Sequence, residues 1–158
     1  ATKTDGTLWS WGNNIKGSLG HNDIVWKSSP TQVGTDTTWS EVTSYGGWQS
    51  VGVMKTDGTL WKWGSNEAGE AGQNSVNNGY SSPVQVPGTT WKDYDGGSDG
   101  SVVALKTDGT LWSWGYNNKG MLGLNQATGN YSSPTQLGTA TNWYSVCVCD
   151  NVTFALRS

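Results

Sequence analysis

The sequence predicts an all-β fold built from propeller blades, and three observations support it. First, the phrase Lys3-Thr4-Asp5-Gly6-Thr7-Leu8-Trp9-Ser10-Trp11-Gly12 returns from Lys55 to Gly64 and again from Lys106 to Gly115. A period of about fifty residues, rich in strand and turn signals, is that of blades rather than of one ordinary core. Second, 23 glycines and 11 tryptophans stand in a chain of 158 residues with only 13% charged side chains, a composition held together by turns and aromatics. Third, apolar residues never recur with a helical period. The expectation is three four-stranded blades in a single segment, residues 1–158, with repeats near 1–52, 53–103 and 104–158.

Each repeat reads as a sequence of elements. The run Val102-Val103-Ala104-Leu105 is a strand. Asp5-Gly6, Asp57-Gly58 and Asp108-Gly109 are tight hairpin turns, since glycine accepts positive φ and aspartate tolerates it. Thr110 to Trp114 is the returning strand, and Gly115 to Gly123 a glycine-punctuated loop matched by 12–20 and 64–72. Pro30, Pro83 and Pro134 each introduce a short outer strand, where a missing N–H does little harm. Trp39, Trp91 and Trp143 then open the next strand.

Both termini align with one stretch. Ala1-Thr2-Lys3-Thr4 and Ala155-Leu156-Arg157-Ser158 each match Ala104-Leu105-Lys106-Thr107. Phe154 to Arg157 is therefore the natural partner, or replacement, for the N-terminal strand. Propellers have roughly four to eight blades, so three are too few to close a ring. The expectation is closure by oligomerisation, a homodimer of six blades or a homotrimer of nine, through heterologous contacts. The competing explanation is sequence missing from a longer, seven-blade protein.

Charge excludes some functions. A formal net charge of −3 and a pI near 4.9 do not suit a nucleic-acid backbone. No apolar run is long enough for a membrane span, and no signal or targeting segment is read.

The pattern Trp-Gly-x-Asn-x-x-Gly-x-Leu-Gly, a Pro-led strand, then Ala-Leu-Lys-x-Asp-Gly, resembles the regulator of chromosome condensation repeat. The resemblance covers essentially the whole chain in three register-matched copies. It implies a β-propeller, in a family that includes a guanine-nucleotide exchange factor for a small nuclear GTPase, bacterial and viral members with unrelated partners, and secreted inhibitors of β-lactamases. This chain departs from the eukaryotic pattern. Gln49, Gly100 and Asn151 stand where a histidine precedes the Ala-Leu step, Val148 replaces the glycine kept as Gly46 and Gly97, and Ala71 replaces the leucine of Leu19 and Leu122. No wedge segment or basic tail is present in the sequence, which argues against an exchange-factor role.

Among candidate residues, Trp9, Trp11, Trp39, Trp61, Trp63, Trp91, Trp112, Trp114 and Trp143 occupy repeat positions and read as structural core, each Trp-x-Trp pair on one strand face. Trp26 and Trp48 break the repeat, and Tyr80, Tyr116 and Tyr131 lie in or beside the long loops. These five are the candidate ligand- or partner-binding residues, because binding anchors are enriched in Trp and Tyr. His21 stands alone and reads as solvent-facing or turn-bonding. The acidic stretch from Asp93 to Gly100 lacks the spacing of a calcium loop, and Cys147 and Cys149 read as free buried thiols. Lys3, Lys55 and Lys106 read as solvated flanks of their turns. No catalytic set, metal site or cofactor is expected. The functional expectation is a non-enzymatic structural or protein-binding propeller, set on a virion surface or outside the cell. The alternative is a carbohydrate-binding propeller with Trp26 and Trp48 as platforms, and a nucleotide-exchange regulator comes third.

Overall fold

Eleven strands and two isolated bridges account for the regular structure in the computed structural model, which describes residues 1–40, 42 and 49–158. Trp48 and the segment around it lie outside the described residues. One complete antiparallel blade runs in chain order through β6 (Trp91–Gly96), β7 (Ser101–Lys106), β8 (Leu111–Gly115) and β9 (Tyr131–Gln136). Before it, β3 (Ser50–Met54), β4 (Leu60–Asn66) and β5 (Asn77–Gln85) form a three-stranded sheet, and a bridge from Trp39 to Lys55 supplies the trace of its first strand.

The third blade's worth of strands is split between the ends. β1 (Trp9–Gly12) and β2 (Lys27–Gln32) pair with each other as the last two strands of a blade. β10 (Trp143–Cys149) and β11 (Val152–Arg157) pair as the first two. The ring is therefore open, with β1 and β11 at its unfinished edges.

Sequence decides the hairpins locally. In each of the three turns a Thr-Asp-Gly loop places glycine at φ +78 (Gly6, Gly58, Gly109), which an L side chain adopts only with strain. In the third turn the Gly109 N–H donates to Lys106 O at 3.0 Å and the Lys106 N–H to Thr110 O at 3.0 Å. This is the three-residue hairpin with a left-handed glycine. Only the glycine takes positive φ, so the tolerance expected of aspartate is not used. The aspartate instead accepts both the N–H and the hydroxyl of the threonine two residues on, as Asp108 does from Thr110 at 3.0 and 2.7 Å. The threonine hydroxyl in turn accepts the indole N–H of Trp112 at 2.8 Å. The same relay joins Asp5, Thr7 and Trp9, and Asp57, Thr59 and Trp61. These threonine hydrogen bonds hold all three carboxyls below the usual carboxylate range.

Blades stack through apolar clusters. Leu8, Val33, Trp39, Val53 and Trp63 form one; Leu60, Val86, Trp91, Tyr94, Val102, Ala104 and Trp114 form the next; Val103, Leu105, Leu111 and Val148 form a third. The indole N–H of Trp63 reaches back to Ser18 O of the preceding loop at 2.9 Å, and that of Trp114 to Glu70 O at 2.9 Å. Trp11 departs from the core expectation. It is 50% exposed, against 2% for Trp63 and 0% for Trp114, because no loop equivalent to 17–20 or 69–72 lies over it among the described residues. Cys147 and Cys149 are also exposed rather than buried, since nothing packs on that face of β10 among the described residues.

Candidate functional site

The long loops after β1, β4 and β8 rise from the blades to form one face. Each is tied down by a buried asparagine at the same repeat position. Asn14 accepts the Leu19 N–H at 2.8 Å and donates across the loop to Asp23 O at 3.0 Å and Val25 O at 3.2 Å. Asn66 bonds the Ala71 N–H and Ser75 O in the same way, and Asn117 the Leu122 N–H and Gln126 O. The asparagines were legible as the invariant Asn of Trp-Gly-x-Asn, but only the structure shows that they make the loops rigid.

The middle blade carries a substitution that reaches into its interior. Ser10 and Ser113 donate to the loop carbonyls of Leu19 and Leu122, at 2.7 and 2.8 Å. Lys62 occupies the equivalent place, and the facing residue is Ala71 rather than leucine. Lys62 is fully buried. Burial lowers its pKa to about 8, partly offset by the charge of the buried Glu70.

His21 lies with Nε2 at 3.0 Å from Ser10 Oγ. This is not a serine–histidine nucleophile pair. Ser10 gives its one proton to Leu19 O, as Ser113 does to Leu122 O in a loop without histidine, so the ring N–H is the donor to the hydroxyl. Among the described residues, no three His, Cys, Asp or Glu side chains converge as a metal ion would require. Among the same residues, no helix is long and apolar enough to cross a membrane.

The structure separates the five aromatic candidates. Trp26 is 63% exposed. Tyr80 packs against the first core cluster, with its hydroxyl 3.0 Å from Ser75 Oγ, and Tyr131 packs against the second. Tyr116 lies half-buried, its hydroxyl accepting from Asn118 at 2.9 Å, and lines a small cleft with Glu70 and Asp99. Trp48 lies outside the described residues. Beside Trp26, the structure adds Ile15, Ile24 and Val25, all exposed in the first loop. The same asparagine tethers equate Asp23 with Ser75 and Gln126. Ile24 and Val25 therefore align with Val76 and Asn77 and with Ala127 and Thr128, while Ile15 aligns with Glu67 and Asn118 and Trp26 with Gly79 and Asn130. Among the described residues of the second loop Val76 is the one exposed large apolar side chain, against four in the first. These positions are exposed or only half-buried in the internal blades as well, so the patch belongs to the loop face and not to the unfinished edge.

The lysines of the repeat are not simply solvated. Lys55 Nζ stands 4.6 Å from the Trp39 ring and 4.1 Å from the Trp61 ring, and Lys106 Nζ 4.9 and 3.9 Å from Trp91 and Trp112. Each is clasped between two indoles of one blade. At the ends the clasp is halved: Lys3 covers Trp9 alone at 3.8 Å, and Arg157 covers Trp143 alone at 5.6 Å.

The regulator of chromosome condensation (RCC1) repeat model matches residues 5–52 and 108–156, more than half of the sequence. The chain belongs to this family. A Danio rerio protein, Protein RCC2 homolog, is 31% identical over 124 residues, which is 77% of this chain and 25% of the relative. The chain spans about a quarter of the length of the curated RCC2 relatives it matches. Among solved structures, Prp20p from Saccharomyces cerevisiae, studied for its binding to Gsp1p and histones, superposes with a TM-score of 0.80 at 19% identity, over 98% of this chain and 40% of that one. Yeast RCC1 bound to Kap60 gives 0.81 at 18%, over 100% and 40%. These structural likenesses show the fold. The comparisons also correct the expected setting. Relatives of a family described by chromosome condensation, with a structural neighbour that binds histones, are chromatin-associated proteins inside the cell, not extracellular or virion components.

Proposed function

We propose that this RCC1-repeat chain is a non-enzymatic, protein-binding propeller whose first long loop is the principal contact. The observation that carries this reading is the exposed run Ile24-Val25-Trp26, with Ile15 beside it, on a loop held rigid by Asn14. Consecutive exposed apolar residues on a fixed loop lose little entropy on docking, and tryptophan is among the residues enriched at the energetic centres of protein interfaces. The acidic balance of the chain, with Glu67, Glu70 and Asp99 in the neighbouring cleft, favours a partner that carries a basic segment. Histones and Gsp1p, the proteins whose binding to Prp20p was studied, are the first partners to test. Completion of the ring by copies of the chain, two giving six blades or three giving nine, belongs to the same reading.

The test is biolayer interferometry of the immobilised chain against core histones and Gsp1p. Binding to either should weaken roughly tenfold or more in Trp26→Asp. If neither protein binds, or binding ignores Trp26→Asp, the reading fails. It also fails if only glycans bind and shift the tryptophan emission.

A further inference from the structure

Internal repetition lets one contact be read from another. The seam between two blades occurs twice inside the chain, and each half of that seam is present again, unpartnered among the described residues, at an opposite end of the molecule. We propose that a second copy of this chain docks head to tail across these ends, β11 of one copy pairing with β1 of the next. This rests on the completed ring proposed above and specifies its contact.

The C-terminal side offers a vacant tryptophan seat. Trp114 sits among Leu60, Val86, Trp91, Val102 and Ala104, with its N–H on Glu70 O. The equivalent residues Leu111, Leu137, Trp143, Thr153 and Ala155, together with Met121, line an open cleft of about 630 Å³. Met121 O corresponds to Glu70 O and Ser18 O; here it accepts the Thr153 hydroxyl at 2.7 Å, which leaves its second lone pair for an indole N–H. A Cβ built on Gly72 or Gly20 would stand 3.2 or 3.1 Å from the indole nitrogen of Trp114 or Trp63, whereas one on Gly123 meets no indole. The only residue at the matching repeat position without a seat is the half-exposed Trp11.

Backbone groups repeat the lesson. The Asn22 N–H donates to Ser81 O and the Asn74 N–H to Ser132 O, each at 2.7 Å. Asn125 holds the same left-handed backbone, φ 58 against 60 and 54, and corresponds to a donor for Ser28 O. Gly17 and Gly69 are pressed against Ser81 and Ser132, each at 2.5 Å from a built Cβ to the serine Cα. Gly120, the third of the set, has nothing closer than 3.7 Å, and Ser28 is exposed.

The N-terminal side offers the reciprocal seat. Val103 and Leu105 of β7 are fully buried between blades, in one cluster with Leu111 and Val148. Their counterparts on β11, Phe154 and Leu156, are exposed, Phe154 at 60%. A second cleft of about 630 Å³, lined by Leu8, Val42, Val51, Val53 and Trp63, lies at the place those side chains would fill. Copying the β7–β8 register, in which Val103 faces Ser113 and Leu105 faces Leu111, sets Phe154 opposite Ser10 and Leu156 opposite Leu8 of the second copy. Arg157 then lies over the second copy's Trp9 as well as its own Trp143, which restores the two-indole clasp.

One rival must leave. Ala1 and Thr2 currently take part of that edge, Ala1 exchanging backbone bonds with Trp9 at 2.8 Å and Thr2 bridging Leu8. Val152 to Phe154 meet an open edge, while Ala155 to Arg157 displace Ala1 to Lys3, so that Arg157 takes the place of Lys3 over Trp9.

The experiment is the solution mass of the full chain by light scattering, under reducing conditions because both thiols are exposed. The wild type should have the mass of two or three chains. Trp11→Asp and Phe154→Asp should each weaken association roughly tenfold or more. Both side chains are at least half exposed here, so circular dichroism should stay that of the folded chain. Mixing the two variants should restore a two-chain species, since one supplies an intact tail and the other an intact head. A wild type with the mass of one chain, variants that keep the wild-type mass, or a mixture that stays monomeric would each overturn the proposal. Trp26→Asp should leave the mass unchanged, which separates failure here from failure of the loop contact.

Discussion

Two regions of this molecule have nearly the same sequence and opposite surroundings. In the blade formed by β6 to β9, Val103 and Trp114 are fully buried; at the chain's ends, their counterparts Phe154 and Trp11 are 60% and 50% exposed. The residue types are equally apolar, so burial here is a property of the neighbouring blade and not of the side chain. Each blade is a wedge whose faces stay dry only when flanked, as expected of quasi-one-dimensional repeat architectures. Local features behave differently. The Asp–Thr–Trp relay has the same distances at the N-terminal hairpin as in the interior.

The largest expected effect tests the first half of this contrast. Trp114→Ala should destabilise the chain by about 3–5 kcal/mol, the usual cost of emptying a large aromatic site. Trp11→Ala should cost less than about 1 kcal/mol in the same unfolding measurement at concentrations where the chain is monomeric. Equal losses in chemical denaturation would mean that Trp11 is packed in solution by this chain alone.

A second, smaller effect separates the middle blade from its neighbours. Lys62 is protonated at a cost, because burial holds its folded pKa at about 8, below the ordinary lysine value of 10.5. Below about pH 8 both folded and unfolded chains hold the proton, and the full penalty is felt. Between 8 and 10.5 the unfolded chain binds more protons, so stability rises with pH, and above 10.5 the penalty is gone. The triple change Lys62→Ser, Glu70→Ser and Ala71→Leu rebuilds the arrangement found at Ser10/Ser18/Leu19 without leaving the buried Glu70 carboxylate unpaired. It should raise stability at pH 7 and flatten the rise between pH 8 and 10. Thermal melts of both proteins across that range check it, and parallel pH profiles would refute the buried charge.

How much of this was legible depended on range. The strands, hairpins and clustered indoles followed from residues within one repeat, where local chemistry and repetition agree. The seam was not legible, because exposure of Trp11 and of Phe154 is decided by residues far away in sequence. Lys3, Lys55 and Lys106 read as solvated although one indole of each clasp lies only six residues on, across the hairpin; the second, Trp39 or Trp91, comes from an earlier strand of the blade. The Lys62 case lay in between. Its signal was two departures in the same repeat, Ser to Lys and Leu to Ala, and only the Ala71 departure drew notice. Among the binding candidates, Trp26 kept an exposed place, whereas Tyr80 and Tyr131 turned out to brace core clusters. Sequence could not separate them, since both kinds sit at the foot or tip of the same loops.

The third prediction asks whether local relays really ignore their surroundings. Thr7→Val and Thr110→Val each remove the acceptor for an indole N–H and the donor to the turn aspartate. Both should cost about 1 kcal/mol, equally at the edge and in the interior. A Thr110→Val loss several times that of Thr7→Val would show that the hairpins also depend on flanking blades.

The smallest effect returns to the lysine clasp and grades it by the number of indoles. Lys106 stands over two rings and Lys3 over one. Methionine keeps the packed stem of either lysine and removes only the charge. Lys106→Met should therefore lose about 0.5–1 kcal/mol, the usual worth of a cation over exposed or half-exposed aromatic faces, and Lys3→Met about half of that. Salt supplies the discriminating control. Surface ion pairs fade as ionic strength rises, whereas a charge held within 4–5 Å of a ring face is too close for mobile ions to intervene. The Lys106→Met difference should then survive in 1 M sodium chloride. If it vanishes there, the lysine is working through distant carboxylates, and the two-indole clasp is geometry without energy. If instead it survives at Lys106 and is absent at Lys3, the second indole is what makes the clasp. The halved clasp at Arg157 would then be worth little until a second chain's Trp9 completes it in place of Lys3.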